Sequence, residues 1–142
     1  WITGVYSLAF SGKGKWIGDL HQFGLNHIWQ QATGFESLTI PPLVFCAFQL
    51  MFAIITPALI TGGTADRLKF GAWTLFSALW LVIVYAPVAH WVFSPSGWLF
   101  KLGALDFAGG TVVHANAGAA ALALVFVIII VPRPDIIILG IS

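Results

Sequence analysis

Charged residues are scarce in this chain. Six lysines and arginines and five aspartates and glutamates make up 8% of its 142 residues, whereas soluble domains carry roughly 25% charged residues. So few charges cannot solvate the surface of a globule of this size, and they offer no basic face to a nucleic acid. The scarcity excludes a soluble enzyme, a disordered tail and a nucleic-acid-binding protein.

Cysteine is nearly absent as well. Cys46 is the single cysteine, so an intrachain disulfide and a cysteine zinc cluster are both impossible. We expect no metal ion, no cofactor and no catalytic centre. The sequence also opens on Trp1, with neither an initiator methionine nor a basic leader. From this we expect part of a longer protein rather than a cleavable signal peptide.

Hydrophobic residues, by contrast, make up 59% of the chain and form long uninterrupted runs. Three stretches contain no charged residue; they lie between Glu36 and Asp66, between Lys69 and Lys101, and between Asp106 and Arg133. Each is longer than the roughly 20 apolar residues with which an α-helix crosses a bilayer. We therefore predict an all-α fold, a polytopic bundle of helices that passes several times through a lipid bilayer.

Prolines and glycines divide the chain into segments of a single membrane domain. Pro41 and Pro42 suit the first turn of a helix, where a missing N–H has no cost, whereas Pro57 and Pro87 should kink the helices that contain them. The predicted segments are the end of a membrane helix over 1–10, an extracytoplasmic loop over 11–40, membrane-spanning helices over 41–62, 70–93 and 105–130, and a tail over 131–142.

Three ionisable side chains fall within these helices or at their ends, where such groups are costly and are often functional. Asp106 begins the third helix, and a carboxylate there caps free N–H groups more often than it contacts a substrate. His114 follows eight residues later, which predicts the same helix face about 12 Å away, near mid-membrane. We expect a pore or ligand role for His114 and an interfacial hydrogen bond for His90.

Phe48 and Phe52 are four residues apart, so they share one face of the predicted helix over 41–62. Such a pair packs against lipid or protein more often than it gates a pore. Gln49 lies in the same turn, and a buried amide needs a hydrogen-bond partner. The residues alone leave both roles of the phenylalanine pair open.

Four segments of the chain together resemble the ammonium transporter, methylammonium permease and Rhesus family. They cover residues 4–10, 47–60, 85–91 and 103–114. The run Asp-Phe-Ala-Gly-Gly-Thr-Val-Val-His over 106–114 is highly specific to that family. The similarity extends over about residues 1–125, and the sequence departs from the family pattern after Phe126.

The resemblance implies a homotrimer in the plasma (inner) membrane. Each subunit of such a trimer has its own pore for ammonium or ammonia, through eleven helices built as an inverted repeat. This chain would supply part of the N-terminal half, from the end of the second helix through the fifth. The second half of the pore is missing from this sequence, so we expect that the chain alone does not conduct.

The resemblance also assigns roles to individual residues. Phe52 would be the outer gate, Phe48 an aromatic wall of the outer vestibule, and His114 the first of two pore histidines. Asp106 would support the site that recruits ammonium. The family usually has Trp at the position of Phe93, whose ring has a weaker π face and no indole N–H, so we expect weaker recruitment here.

Other readings stay open at this point. An ammonium sensor of the same family would share these motifs. A membrane cytochrome would use His90 and His114 as axial haem ligands, which requires the two side chains to lie at similar depth. An intramembrane hydrolase would need paired carboxylates or a Ser/His motif, and the sequence has neither.

Overall fold

The computed structural model describes residues 1–29, 39–65 and 67–130. Residues 30–38 of the predicted outer loop and the predicted tail over 131–142 lie outside the described residues. Within the described part there are helices but no strands. The α-helices are α1 (Val5–Phe10), α2 (Pro42–Ile60), α3 (Phe70–Trp80), α4 (Ala86–Phe93), α5 (Trp98–Lys101) and α6 (Asn116–Ile130).

Shorter helical turns extend these helices into three stretches long and apolar enough to cross a membrane. The stretches are Pro42–Gly63, Phe70–Lys101 and Gly110–Ile130, with 22, 32 and 21 residues. At 1.5 Å per residue even the shortest measures about 30 Å, the thickness of a bilayer's hydrocarbon core. The chain is therefore an all-α, multi-pass membrane protein.

Prolines shape the first two stretches. Pro42 is the first residue of α2, where its missing N–H costs no helical hydrogen bond. Pro57 lies inside α2, and the hydroxyl of the preceding Thr56 donates to the Phe52 carbonyl at 2.6 Å. The backbone over Leu81–Tyr85 widens into a π turn directly before Pro87, which cannot donate a helical hydrogen bond.

The last stretch begins at Gly110, so the prediction of a helix start at residue 105 is wrong. Gly103 and Gly109 have φ angles of 87° and 81°, a left-handed conformation that interrupts a right-handed helix. Asp106 therefore precedes the helix instead of lying within it. The helix that would place Asp106 and His114 on one face about 12 Å apart is interrupted between them, so that spacing no longer follows from helical geometry.

Two helix pairs form the core, with α1 against α4 and α2 against α6. Ala9, Ala86 and Ala89 are fully buried, and residues this small let neighbouring helices approach closely. The Tyr6 and Tyr85 rings fill the space beside them. Outside this core the membrane stretches are largely uncovered: 33%, 22% and 11% of their apolar windows are buried inside the chain.

Candidate functional site

Three phenylalanine rings from α2 and the end of α4 contact one another in a row. Phe48 and Phe52, one turn apart on α2, meet edge-to-face with 5.2 Å between ring centroids. Phe52 in turn lies 5.8 Å from Phe93, the last residue of α4. We call Phe48, Phe52 and Phe93 the phenylalanine row. Phe48 is exposed and the other two are half-buried, so the row leads from an open surface toward the interior.

The inner part of this row reaches the start of the last membrane stretch. A Cβ atom added at Gly109 would lie 3.4 Å from Cδ1 of Phe52, so the ring packs directly against the Gly109 backbone. Glycine permits this approach and also the left-handed φ of 81° that the chain adopts there. The sequence did not predict this left-handed conformation of Gly109.

Asp106 caps the last stretch. Its Oδ1 accepts the N–H of Gly110 at 2.7 Å, and its Oδ2 accepts those of Thr111 and Val112 at 2.9 and 3.0 Å. The carboxylate thereby satisfies three of the four N–H groups that a helix start leaves without partners, next to the positive end of its dipole. The capping role expected for Asp106 is confirmed, with the helix starting later than expected.

His114 follows on a π turn over Gly110–Ala115, where its backbone N–H donates to the Gly109 carbonyl at 2.9 Å. The preceding Val112 and Val113 are buried, whereas His114 itself is exposed. A π turn adds a residue to the helical repeat and rotates the side chains that follow it, a distortion often found at functional sites. The imidazole thus lies on the face of the last stretch that no described helix covers.

His90 has entirely different surroundings. It is fully buried; its Nδ1 lies 2.8 Å from the Ala9 carbonyl and its Nε2 2.7 Å from the Gly14 carbonyl. A neutral imidazole donates through one nitrogen at a time, so its tautomer decides which carbonyl is bonded. Both nitrogens face carbonyl oxygens, which leaves neither directed at a haem iron. His90 anchors the outer loop to α4, together with the bond from Trp91 Nε1 to the Trp16 carbonyl.

A cavity of about 200 Å³ lies between α2, the end of α4 and the segment that precedes the last stretch. Residues that line it include Phe45, Gln49, Phe93, Phe100, Asp106 and Phe107. The structure therefore brings Phe93 and Asp106, two of the three residues predicted for recruitment, to one cavity. The third, Phe48, does not line it and connects to Phe93 only through Phe52.

Among the residues that the structure describes, no group of three or more His, Cys, Asp or Glu side chains could hold a metal ion. The polar groups of the site are one carboxylate, one amide and one imidazole, set among aromatic rings. Such an arrangement can hold a small cation on ring faces and acceptor oxygens, and can offer a hydrogen-bonding imidazole further along.

Comparison with known proteins gives consistent matches. Residues 1–135 match a family model described as the Ammonium Transporter Family. An ammonium transporter of Bacillus subtilis is 48% identical over an alignment 122 residues long, which covers 83% of this chain and 29% of that protein. An ammonium transporter of Mycobacterium tuberculosis H37Rv is 64% identical over an alignment 88 residues long, which covers 56% of this chain and 18% of that protein.

A solved structure resembles the fold as well. The crystal structure of Saccharomyces cerevisiae Mep2 superimposes with a TM-score of 0.81 and 38% identity, over 89% of this chain and 29% of that chain. This chain thus spans less than a third of the length of the curated relatives and of the solved structure that it matches.

Proposed function

The chain belongs to the ammonium transporter family, and on that premise we propose that it supplies the outer vestibule and a pore histidine of a transporter for ammonium or ammonia. The observation that carries the proposal is the line from the phenylalanine row through Gly109 to His114. It joins an exposed aromatic surface to an imidazole on an uncovered helix face.

The outer end of this line suits the recruitment of a cation. Phe93 lines the cavity together with Asp106, whose carboxylate adds negative charge there, and Phe48 is exposed further along the row. A cation over an aromatic ring gains on the order of 1–2 kcal/mol when it is partly desolvated. Phenylalanine binds a cation less strongly than tryptophan, so Phe93 gives a weaker recruiting surface than an indole would at the same place.

The inner end suits passage of the neutral species. Phe52, held between Phe93 and the Gly109 backbone, would be the gate. A bare ion in apolar surroundings carries a large desolvation cost, which excludes sodium and potassium. Ammonium escapes this cost by releasing a proton, and ammonia then passes the gate. His114 offers a hydrogen-bonding partner, and a route for a proton, in an otherwise apolar path.

The setting of this transporter is also part of the proposal. We infer a homotrimer in the plasma (inner) membrane, with the loop after α1 on the extracytoplasmic side and lipid against the outer faces. The small buried share of the three membrane stretches supports extensive cover by lipid and by further protein. The relatives that this chain matches are named transporters, which supports a function other than catalysis.

Substitution of His114 tests the proposal. The assay protein is a chimera in which the matched part of this chain, 83% of its length, replaces its counterpart in the Bacillus relative. We expect His114→Ala to change the initial rate of radiolabelled methylammonium uptake at least tenfold in proteoliposomes, because the pore loses its hydrogen-bonding group. His21→Ala, an exposed loop histidine, should leave uptake unchanged. Equal uptake by His114→Ala and the unmutated chimera would contradict the pore role.

A further inference from the structure

Gln49 is a buried side chain with an unsatisfied polar atom. The residue is 6% exposed, and its Oε1 has no hydrogen-bond partner among the described residues. Burying an amide oxygen without a partner is unfavourable, and the great majority of buried polar atoms in proteins do have one. The side chain lies two turns into α2, where an apolar residue would pack at no such cost. The Gln49 side-chain oxygen is therefore available to accept a hydrogen bond from a ligand.

The surroundings of Gln49 indicate which chemistry that ligand has. Gln49 lines the cavity of about 200 Å³ that also contains Phe93 and Asp106. Its wall combines aromatic rings with an amide and a carboxylate, and among the described residues that line it there is no Lys, Arg or His. The volume exceeds many times what one water molecule needs. These features describe a site for a small cation that carries N–H donors, with room for part of its hydration shell.

We propose that the Gln49 side-chain oxygen accepts an N–H hydrogen bond from ammonium or a small primary alkylammonium in this cavity. The inference rests on the proposed transport function and adds a recruiting residue to it. Rotation of the terminal amide exchanges its oxygen and nitrogen, so the acceptor can turn toward the ligand without a change of backbone. The Asp106 oxygens, already bonded to three N–H groups, supply mainly charge.

One amide oxygen also favours ammonium over an alkali cation. Ammonium has directional N–H donors, so a single well-placed acceptor replaces one of its bonds to water while ring faces stabilise its charge. Potassium needs several oxygens at once to replace its hydration shell. A cavity with one amide, one occupied carboxylate and several phenyl rings cannot provide them. Gln49 thus acts as a specificity-determining residue at the entrance.

The test measures methylammonium transport kinetics of the same chimera in proteoliposomes. Gln49→Leu removes the acceptor at nearly constant volume. We expect its KM for methylammonium to rise about tenfold, while the maximal rate changes less than twofold. Gln49→Glu keeps an acceptor oxygen at the same place and should retain or lower the KM. Met51→Leu, an exposed residue on the same helix, is the matched control and should keep the KM of the unmutated chimera.

The outcomes distinguish a failure of the proposed role of Gln49 from a failure of the transport function. A raised KM in Gln49→Leu that Gln49→Glu restores supports the proposal. An unchanged KM in Gln49→Leu overturns it, and a lower melting temperature alongside would assign the amide to packing. If Gln49→Leu does not fold, the same criteria apply to Gln49→Met, a flexible apolar replacement. Absence of any transport by the unmutated chimera, in a correctly folded trimer, would instead contradict the transport function itself.

Discussion

His90 and His114 show how two histidines in one apolar chain acquire opposite properties. The ring of His90 is fully buried between two carbonyl oxygens, whereas that of His114 is exposed on an uncovered helix face. From the sequence, the two histidines differ only in their expected depth in the membrane. The sequence predicted a hydrogen bond for His90, which is confirmed, but it could not identify the acceptors, which lie 81 and 76 residues away along the chain.

The hydrogen bonding of His90 to the Ala9 and Gly14 carbonyls should restrict the access of a protease to the outer loop. The acceptor Gly14 lies between Lys13 and Lys15, which are exposed. Loss of the imidazole removes the hydrogen bond that it donates to one of the two carbonyls, at a cost of about 1–3 kcal/mol. We expect His90→Ala to raise the rate of tryptic cleavage after Lys13 and Lys15 at least tenfold in detergent. His114→Ala, remote from this loop, should leave cleavage unchanged. Equal cleavage of both variants would contradict the anchoring of the loop by His90.

Asp19 ties the same loop back to α1 and makes it sensitive to acid. The Ser11 hydroxyl donates to Asp19 Oδ1 at 2.6 Å and the His21 N–H donates at 3.0 Å; these bonds lower the pKa of the carboxyl below its usual 3.8. A carboxyl with a lowered pKa in the folded state stabilises the loop at neutral pH. This stabilisation diminishes as the pH falls below 3.8, and it is lost as the pH falls through the pKa that the Asp19 carboxyl has in the folded state.

Replacement of Asp19 by asparagine measures how much the ionised carboxylate contributes to stability. We expect Asp19→Asn to lower the melting temperature of the chimera by a few degrees at pH 7. The difference from the unmutated protein should shrink as the pH falls below the usual carboxyl pKa, because a protonated aspartate accepts hydrogen bonds no better than an amide. The measurement is a series of melting curves between neutral and acidic pH. A difference that stays constant across this range would contradict the assignment.

At the level of secondary-structure elements, the start of the last membrane stretch is the decisive feature. Asp106, the left-handed Gly109 and the π turn over Gly110–Ala115 act together to set where the helix begins and which face His114 occupies. The sequence predicted the capping residue but not the delayed start. Apolar composition continues through the non-helical segment, so hydrophobic patterning alone cannot show the break.

Gly109→Ala should disturb this element. An alanine Cβ would lie 2.6 Å from Cγ2 of Val113, and the left-handed φ would itself cost about 1–2 kcal/mol. We expect a clear decrease in the melting temperature of the chimera and displacement of the Phe52 ring. At Gly71 in α3 an added Cβ would meet no neighbouring atom within 4 Å outside the adjacent helix backbone. Gly71→Ala should therefore be neutral or stabilising by up to about 1 kcal/mol. Equal stability of the two variants would contradict this account of Gly109.

At the scale of the whole molecule, uncovered apolar surface dominates. Only 11% of the apolar window of the last stretch is buried, and Phe107 is 88% exposed. Lipid can cover such a surface, but it cannot form the opposite wall of a pore beside His114, because a permeation path needs protein on all sides. In the proposed transporter, the described residues would therefore form one side of a path.

This arrangement predicts the behaviour of the isolated chain. Residues 1–142 incorporated alone into liposomes should give no methylammonium flux above that of empty liposomes, whereas the chimera should give saturable flux. Protease protection of the incorporated chain verifies that its helices have inserted. Saturable uptake by the isolated chain at the level of the chimera would show that it encloses a path on its own, contrary to this expectation.

Membrane location, the number of long apolar helices and the family all follow from the amino-acid sequence. The first two depend on the transfer of consecutive side chains into lipid, which is a local property of composition. The family followed from a contiguous motif over 106–114, which requires no knowledge of the fold.

Contacts between segments that are distant along the chain follow from the tertiary structure and not from the sequence. The tertiary structure placed Phe93 and Asp106 in one cavity with Gln49, held His90 between carbonyls of the first helix and its loop, and turned His114 outward through a π turn. None of these follows from periodicity, because in lipid all sides of such helices are apolar. Backbone conformation at a few glycines and the close packing of neighbouring helices select which of the few polar side chains meet.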